Sequence, residues 1–339
     1  MLKYAFWNNK GGTGKTSLTF QALLAYAEKN PNKRILAMDL CPQANLSELL
    51  LGGLIGGGSQ KLLQLQQKPQ RPTVGGYFQM RLPQPYTAPK FTPQDFIVSP
   101  SAHNNFAPKN IDLLSGDPLL ELQSNAVSTL ANAQIPGQNS WLAIIDWLKD
   151  FTDLLVDTYD VAFIDCNPSF SIFTQIALSV ADRLILPVMA DDSSRRALQN
   201  AFSLIYGLHL PSEIYAQHSF STRLVAANRS LPKVHLIIKN RLTQYMGPAS
   251  AYDAVLRKVE DQVATLLASH PSIFTFSRLE DGLVNTRDFG TTGVVAFAQG
   301  KSFSKLNSGV HDISGRPVTV KEEYRVNAEV AVNEIVMRL

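Results

Sequence analysis

The sequence has few of the residues on which disulfide and transition-metal sites depend. Its two cysteines, Cys41 and Cys166, lie far apart and form no C-x-x-C pair, so neither a disulfide framework nor a structural zinc site is indicated. The six histidines include no H-E-x-x-H motif. A zinc hydrolase therefore has little support.

Long apolar runs are also absent. No segment is long and apolar enough to cross a bilayer, and the N-terminus follows a strand pattern instead of a signal peptide. These absences predict a cytoplasmic protein. The formal net charge of +3 is too small to indicate a nucleic-acid partner by itself, although it allows a local basic face.

The chain has 339 residues, of which 45% are hydrophobic, and can bury a large core. Short apolar runs alternate with helical patterns, which predicts an α/β fold with a doubly wound, mostly parallel sheet that binds its ligand at the carboxyl ends of its strands. We predict one domain over residues 1–339. Predicted strands lie near residues 3–7, 34–39, 111–114, 161–165, 184–188 and 234–239. Predicted helices begin at Lys15, Trp141, Ser171 and Ser194, and others cover residues 251–267 and 320–339.

Residues 52–110 depart from this alternation. They begin with glycine clusters and continue through a stretch rich in Gln and Pro that contains scattered aromatic residues such as Tyr77, Phe78 and Tyr86. These glycines lack a preceding strand and a following Gly-Lys-Thr, so a flexible linker is favoured over a second phosphate loop. We predict an irregular insertion or mobile loop here, and a second Gly- and Ser-rich connection over residues 300–317.

The segment K-G-G-T-G-K-T-S at residues 10–17 follows the first predicted strand. Its glycines allow backbone N–H groups to crowd around phosphate oxygens, and the following helix adds the positive end of its dipole. Lys15 would reach the β- and γ-phosphates, and the Thr16 hydroxyl would bind Mg²⁺. The general pattern G-x-x-x-x-G-K-[ST] is not met in full, because Asn9 stands in place of its first glycine. The predicted nucleotide-binding residues of this loop are Lys10, Gly11, Gly12, Thr13, Gly14, Lys15, Thr16 and Ser17.

This segment resembles the deviant Walker A phosphate loop of the ParA/MinD/Soj-type partition ATPases, K-G-G-x-G-K-[ST], and matches it at every specified position. The resemblance implies a P-loop NTPase fold, the cofactors ATP and Mg²⁺, and a homodimer formed with ATP. In that family the additional lysine, here Lys10, reaches the phosphates of the nucleotide bound by the other subunit. A triphosphate would neutralise such a second cation. The alternative is a solvated loop lysine.

Two further segments extend the resemblance. Residues 34–45 are similar to the family's second strand and first switch, usually D-x-D-P-Q-x-N, and residues 159–169 to its Walker B strand and second switch. The resemblance implies that Asp39 contacts Mg²⁺ through water and that Asp165 is the carboxylate on the metal side, so Thr16, Asp39 and Asp165 are the predicted metal residues. For Asp165 taken alone, capping of the next helix is the alternative.

Cys41 is the clearest departure from the family. It stands where relatives carry a second aspartate, which is thought to orient the attacking water. A neutral thiol accepts only weak hydrogen bonds, so we expect slow hydrolysis, unless another group positions the water. The predicted catalytic residues are Lys10, Lys15 and Cys41.

The resemblance also bears on the base and on partners. Residues 236–241 resemble the base-reading strand end, which implies that Asn240 pairs with adenine beside Arg241, although an asparagine at a strand end also forms turns. Iron–sulfur reductases share this phosphate loop but require cluster-binding cysteines, whereas both cysteines here belong to nucleotide switches. Partition-type relatives bind DNA nonspecifically as ATP dimers. The candidate DNA contacts are Arg195, Arg196, Arg223, Arg229, Lys233, Arg257 and Lys258.

MinD-type relatives end in a basic amphipathic helix that binds membranes. The polar face of the predicted last helix here mixes four glutamates with three basic residues, which favours packing on the domain's own core and no membrane partner. We predict an ATPase that dimerises with ATP and acts in DNA partition or cargo positioning, together with a stimulating protein of the centromere-binding type. The alternative is a nucleotide-dependent scaffold or regulator that hydrolyses poorly and binds a protein cargo.

Overall fold

A parallel sheet of buried strands forms the centre of the protein in the computed structural model, which describes residues 1–189, 191–242 and 251–339. The segments I-L-A-M-D-L at 35–40 and V-A-F-I-D-C at 161–166 are buried at every position because helices cover both faces of the sheet. The seven strands are β1 (Leu2–Phe6), β2 (Ile35–Leu40), β3 (Ile111–Leu114), β4 (Val161–Cys166), β5 (Arg183–Met189), β6 (Lys233–Leu242) and β7 (Leu283–Arg287). A separate antiparallel hairpin contains β8 (Gly309–Ile313) and β9 (Arg316–Val320).

The helices of the described residues connect and cover these strands. They are α1 (Lys15–Lys29), α2 (Asn45–Leu50), α3 (Gly58–Gln66), α4 (Val74–Arg81), α5 (Leu119–Ala131), α6 (Ser140–Ile145), α7 (Trp147–Asp153), α8 (Ile172–Val180), α9 (Asp192–Tyr206), α10 (Glu213–Gln217), α11 (Phe220–Ala226), α12 (Ala251–Ser269), α13 (Leu279–Gly282), α14 (Gly290–Ala298) and α15 (Glu322–Val336).

The strand order of the large sheet is β3-β2-β4-β1-β5-β6-β7, and all paired strands are parallel. Successive residues of β1 and the residue after it alternate between two hydrophobic clusters: Tyr4 and Phe6 belong to one, Ala5 and Trp7 to the other. This alternation places one core on each face of the sheet. The predicted doubly wound α/β fold is confirmed.

The topology brings three predicted site segments together. In the register of adjacent strands, Phe6 of β1 pairs with Asp165 of β4, and Asp165 pairs with Asp39 of β2. The loop after β1 and the two aspartates therefore lie side by side at the carboxyl edge of the sheet, where doubly wound folds bind ligands.

Most predicted elements are present, with shifted ends. Ser171 is the N-cap residue of α8, and the helix predicted at Trp141 consists of α6 and α7. The predicted start at Ser194 is wrong by two residues, because the Asp191 side chain accepts a hydrogen bond from the Ser194 N–H and caps α9. β7 was not predicted, since only Val284 and Thr286 of its five residues are buried.

The prediction of an irregular or mobile loop at residues 52–110 is wrong. This segment contains α3 and α4, and Tyr77 and Phe78 are fully buried. Phe78 lies 5.5 Å from the rings of both Trp147 and Phe173, so the scattered aromatic residues are core residues. The Gln- and Pro-rich composition did not indicate this buried packing, because composition gives average polarity and not which side chains point into the core.

The C-terminal region also differs from the prediction. Residues 309–320 form the β8–β9 hairpin, and Val320 ends β9 instead of beginning the last helix. The helix itself is α15, which is shorter than the predicted 320–339 and packs against α1 and β7 through buried residues such as Val332 and Ile335. The single-domain assignment stays a prediction.

Candidate nucleotide-binding site

The loop between β1 and α1 is held by hydrogen bonds to neighbouring strands. The Asn8 Nδ2 donates to the Pro187 carbonyl at 2.7 Å, and the Asn240 Nδ2 donates to the Thr13 carbonyl at 2.9 Å. Gly14 adopts a left-handed conformation with φ of 86°, and a Cβ built there would lie 2.2 Å from the Asn240 Nδ2. Glycine is required at position 14 both for its backbone conformation and for this close approach.

The backbone N–H groups of residues 11–14 form the open part of the loop. None of them donates a hydrogen bond to an acceptor within the described ranges. Gly11 and Gly12 are exposed, and a Cβ at either would meet no atom within 4 Å. Because α1 begins directly afterwards, its N-terminal N–H groups and dipole point to the same place. This arrangement suits a phosphate group.

Lys15, the first residue of α1, is a buried cation with incomplete neutralisation. The residue is 7% exposed, and its Nζ donates to the Lys10 carbonyl at 3.1 Å. Lys15 makes no ion pair with any residue that the structure describes. Burial lowers its pKa, although Asp165 partly opposes this effect. A buried ammonium with one hydrogen bond calls for an anion.

Asp165 and Thr16 have the donor set that Mg²⁺ prefers. The Thr16 hydroxyl donates to Asp165 Oδ2 at 2.7 Å, while the buried Oδ1 of Asp165 has no hydrogen-bond partner among the described residues. Burial, followed by the charge of Asp39, raises the pKa of Asp165 to about 8. Asp165 caps no helix of the described ranges, since α8 begins after Ser171. The unpartnered oxygen and the nearby hydroxyl fit a hard cation.

Asp39 is more completely satisfied by the protein. Its Oδ1 accepts from the Cys41 N–H at 3.1 Å, and its Oδ2 accepts from the Ser47 N–H at 2.9 Å and the Ser47 hydroxyl at 2.8 Å. Burial raises its pKa to about 6. These bonds suit the predicted contact through water better than direct coordination. Within the described residues no group of three or more His, Cys, Asp or Glu side chains could hold a metal, so substrate phosphates would have to supply further ligands.

Lys10 makes contacts that the sequence did not predict. Its N–H donates to Asn8 Oδ1 at 3.0 Å, and its Nζ forms an ion pair with Asp191 and donates to the Ser194 hydroxyl at 3.2 Å. Burial alone would raise the pKa of Asp191, but hydrogen bonds from Lys10, Ser193 and Ser194 lower it to about 2. The only sequence signal was the D-x-x-S cap of α9, which did not indicate a partner 181 residues away.

Cys41 follows β2 directly and lies beside both aspartates. It is 8% exposed, and burial together with the charges of Asp39 and Asp165 raises the pKa of its thiol to about 12. The thiol is therefore neutral at pH 7. Cys166, the last residue of β4, is also buried, and burial raises its pKa.

Asn240 braces the loop from the end of β6. It is 3% exposed, and its Oδ1 accepts from the Thr286 hydroxyl at 2.8 Å while its Nδ2 contacts Thr13. Pairing with adenine would require rearrangement of these bonds, and the adenine role stays a prediction. The Arg241 side chain lies outside the described part of the chain.

The predicted DNA-contacting residues fall into two regions. Arg195, Arg196, Arg257 and Lys258 belong to α9 and α12, and Arg195 and Lys258 line a groove of about 560 Å³ between these helices. Arg223, Arg229 and Lys233 lie in or near α11 and the start of β6. Arg229 is ion-paired with Asp146, and the Arg223 guanidinium lies over the Trp141 ring at 4.2 Å. The seven residues thus lie on several different elements, and their role in DNA binding stays a prediction.

Comparison with known families identifies the class of this protein. The model of the AAA_31 family, described as an AAA domain, matches residues 1–210. The chain belongs to this family. This assignment agrees with the seven-stranded sheet and with the position of the glycine-rich loop after β1.

Its curated relatives are distant. The chain is 26% identical over 195 residues to an uncharacterised protein of Mycobacterium tuberculosis strain H37Rv, which covers 57% of this chain and 48% of the relative. It is also 26% identical over 260 residues to an uncharacterised protein of Pseudomonas putida KT2440, covering 75% of this chain and 80% of that protein. The chain thus spans about half the length of the mycobacterial relative.

Solved structures share its fold over nearly the whole chain. The ATP complex of a Cyanothece McdA variant has a TM-score of 0.61 and 14% identity, covering 100% of this chain and 96% of that one. A plasmid partition protein of Borrelia burgdorferi, bound to AMPPNP, has a TM-score of 0.56 and 16% identity, covering 99% and 98%. The pNOB8 ParA structure has a TM-score of 0.51 and 17% identity, covering 88% and 95%. These likenesses confirm the fold that the ParA/MinD resemblance predicted, and the family model assigns the chain to the AAA_31 family.

Among the helices of the described ranges, none combines the length and apolar character that a bilayer crossing requires.

Proposed function

We propose that this protein binds and hydrolyses ATP with Mg²⁺, and that it acts as a partition-type ATPase. The observation that carries the proposal is the environment of Lys15, a buried ammonium with one hydrogen bond beside a set of backbone N–H groups that have no acceptor among the described residues. A polyphosphate would satisfy both. The ATP and AMPPNP named for two structural neighbours agree with this choice of nucleotide.

Different residues of the site would bind the phosphates and the Mg²⁺ ion. The N–H groups of residues 11–14 would donate hydrogen bonds to the phosphate chain, Lys15 would neutralise its terminal charge, and Thr16 and Asp165 would hold Mg²⁺. The ion would reduce the charge that develops on the phosphate oxygens. Asp165 Oδ1, unpartnered within the described chain, would gain a partner in the same step of binding.

Lys10 would act across a dimer formed with ATP. Its side chain is 24% exposed at the edge of the loop and reaches Asp191 and Ser194 in its own subunit. The ion pair is exchangeable, since the Asp191 side chain is 39% exposed. A partner's triphosphate carries more charge than one carboxylate, so it would compete for the ammonium.

Hydrolysis is expected to be slow. A neutral thiol at position 41 cannot accept a strong hydrogen bond from the attacking water, as the family's carboxylate would. The same observation favours the alternative function, a nucleotide-dependent scaffold that hydrolyses poorly and binds a protein cargo. A stimulating protein of the centromere-binding type would then supply or reposition the missing group.

Two lysine variants test the nucleotide and dimer roles. Lys15→Ala should abolish ATP binding, whereas Lys10→Ala should retain binding and lose ATP-dependent dimerisation. Lys29→Ala, at an exposed position at the far end of α1, is the matched control. Isothermal titration with ATP and Mg²⁺ measures binding, and sedimentation with AMPPNP measures dimerisation. Normal dimerisation of Lys10→Ala would remove the role across the interface, and unchanged binding by Lys15→Ala would refute the proposed site.

DNA binding separates the two candidate functions. If the ATP dimer binds DNA through phosphates, two unrelated duplexes should bind equally, and their affinity should fall steeply with salt. Lys258→Ala on α12 should weaken both, whereas Arg316→Ala on the remote β8–β9 hairpin should weaken neither. Filter binding with ATP and with ADP measures this. Absence of ATP-dependent retention at low salt would support the protein-cargo alternative.

A further inference from the structure

A groove beside Trp141 carries an unneutralised arginine. The groove has a volume of about 920 Å³ and is lined by residues 131–141, by Gln217 and His218 at the end of α10, and by Arg223 of α11. Arg223 is half-buried, and its guanidinium makes no hydrogen bond or ion pair with any described residue. It lies over the ring of Trp141, at 4.2 Å.

The position of this guanidinium is fixed from below. Trp141 is 2% exposed, its Nε1 donates to Gln175 Oε1 at 3.3 Å, and its ring packs edge-on against Phe220 at 6.1 Å. The indole is therefore a rigid platform. The guanidinium lies over this face and lines the groove, so its N–H groups are available to an acceptor there.

Partial burial of the Arg223 guanidinium costs desolvation free energy, and no carboxylate in the groove offsets it. Burial lowers the pKa of Arg223, and none of the described residues that line the groove is acidic. The other ionisable group there is His218, and the remaining lining side chains are amides and small or apolar groups. The groove thus offers a site for negative charge, while a desolvated cation remains without a counter-ion in the described chain.

The surroundings of Arg223 distinguish between kinds of anion. A nucleic acid surface needs several cations along its phosphates, whereas this groove has one arginine and one histidine. The side-chain amides of Gln134 and Gln138 make no hydrogen bond to described residues, and Ile135 is 37% exposed at the rim. On α10, Ile214 and Tyr215 are 69% and 61% exposed. Amides, exposed apolar side chains and one oriented arginine are the chemistry of a peptide site.

We propose that this groove is a docking site for an extended acidic segment of a partner protein, in which an Asp or Glu side chain binds the Arg223 guanidinium and a neighbouring apolar side chain contacts Ile135. The carboxylate would complete the neutralisation of Arg223 in bidentate geometry. Gln134 and Gln138 would bond the peptide backbone. The lining residues of the groove do not include residues 10–17, so it can be occupied without displacing nucleotide.

A phage-displayed library of random twelve-residue peptides provides the test. Peptides are selected on the full-length protein after removal of those that bind Arg223→Gln. Selected sequences should contain Asp or Glu next to an apolar residue, and synthetic copies should bind at least about tenfold more weakly to Arg223→Gln in fluorescence anisotropy. Arg316→Gln, which removes the same charge from an exposed position on the β8–β9 hairpin, should bind them as the wild type does.

Further variants guard against a loss of folding. Ile135→Asp, on the exposed loop, removes the apolar contact and adds a negative charge that repels an acidic peptide. It leaves Arg223 in place and should weaken binding of the same peptides. Thermal unfolding of each variant checks its fold. Failure to enrich any Arg223-dependent peptide, or enrichment of peptides without carboxylates, would overturn the proposal. So would retention of peptide affinity in Arg223→Gln together with loss of binding to a duplex DNA, which would identify a nucleic-acid contact instead.

Discussion

The ion pair between Lys10 and Asp191 holds the loop lysine within its own subunit. If Lys10 must leave Asp191 to reach a nucleotide in a partner subunit, then Asp191→Asn should favour the dimer formed with ATP. Asparagine caps helices about as well as aspartate, so α9 should keep its cap and only the charge is removed. The substitution therefore isolates the ion pair.

The size of the effect follows from the environment of Asp191. A carboxyl whose pKa falls from 3.8 to about 2 gains up to roughly 2.5 kcal/mol from its partners. Ser193 and Ser194 contribute part of this, and 39% of the Asp191 side chain is exposed, so solvent screening leaves about 0.5–1 kcal/mol for the ion pair. A symmetric dimer releases two such pairs. We therefore expect Asp191→Asn to strengthen dimerisation roughly five- to thirtyfold.

Sedimentation velocity with AMPPNP and Mg²⁺ over a range of protein concentrations measures the dimer dissociation constant. Asp153→Asn, which breaks a similarly exposed ion pair with Lys149 on α7, serves as the control and should change nothing. An Asp191→Asn protein that dimerises as weakly as the wild type, or more weakly, would show that the ion pair does not restrain Lys10. The double variant with Lys10→Ala should lose the gain.

Three further predictions test other parts of the site and fold. Gly14→Ala should lower the melting temperature and nucleotide affinity because its Cβ would meet Asn240 at 2.2 Å, whereas Gly11→Ala, with open space around it, should leave the melting temperature unchanged; thermal unfolding compares the pair. Cys41→Asp should raise single-turnover ATP hydrolysis, on the order of a hundredfold if the carboxylate orients the water, while Cys41→Ala should change little; a fast wild type crippled by Cys41→Ala would contradict this. Phe78→Ala, at a fully buried position within residues 52–110, should lower the free energy of unfolding by about 3–5 kcal/mol in urea titrations, and a loss below about 1 kcal/mol would mean that this segment is not packed as described.

The loop residues and both aspartates could be placed from the sequence because the loop follows β1 and the aspartates lie near the carboxyl ends of β2 and β4, which have clear apolar patterns. Parallel strands then bring their carboxyl ends together, so the position of Asp165 beside Thr16 needed no knowledge of side-chain packing. Lys10 is different. Its partner Asp191 is 181 residues away, and no local periodicity couples the two positions.

For residues 52–110 and for Asn240, the sequence did not indicate contacts with distant segments. Tyr77 and Phe78 are buried by contacts with α7 and α8, which the local Gln- and Pro-rich composition cannot report. Asn240 was interpreted through its residue type and its place at a strand end, while its actual partners, Thr13 and Thr286, come from the opposite ends of the chain. Contacts between distant segments decided each case.

The two asparagines that hold the loop after β1 have a thermodynamic consequence. Asn8 fixes one end of the loop to β5, and Asn240 fixes the other end to β6 and β7. The loss of backbone entropy needed to shape the loop therefore occurs during folding, and a ligand arriving later meets a preorganised surface. Exchange of one nucleotide for another would leave the backbone of the loop nearly unchanged. The response to the bound nucleotide would then be a change in the ion pair of Lys10, from Asp191 to a nucleotide in the partner subunit, and not a refolding of the loop.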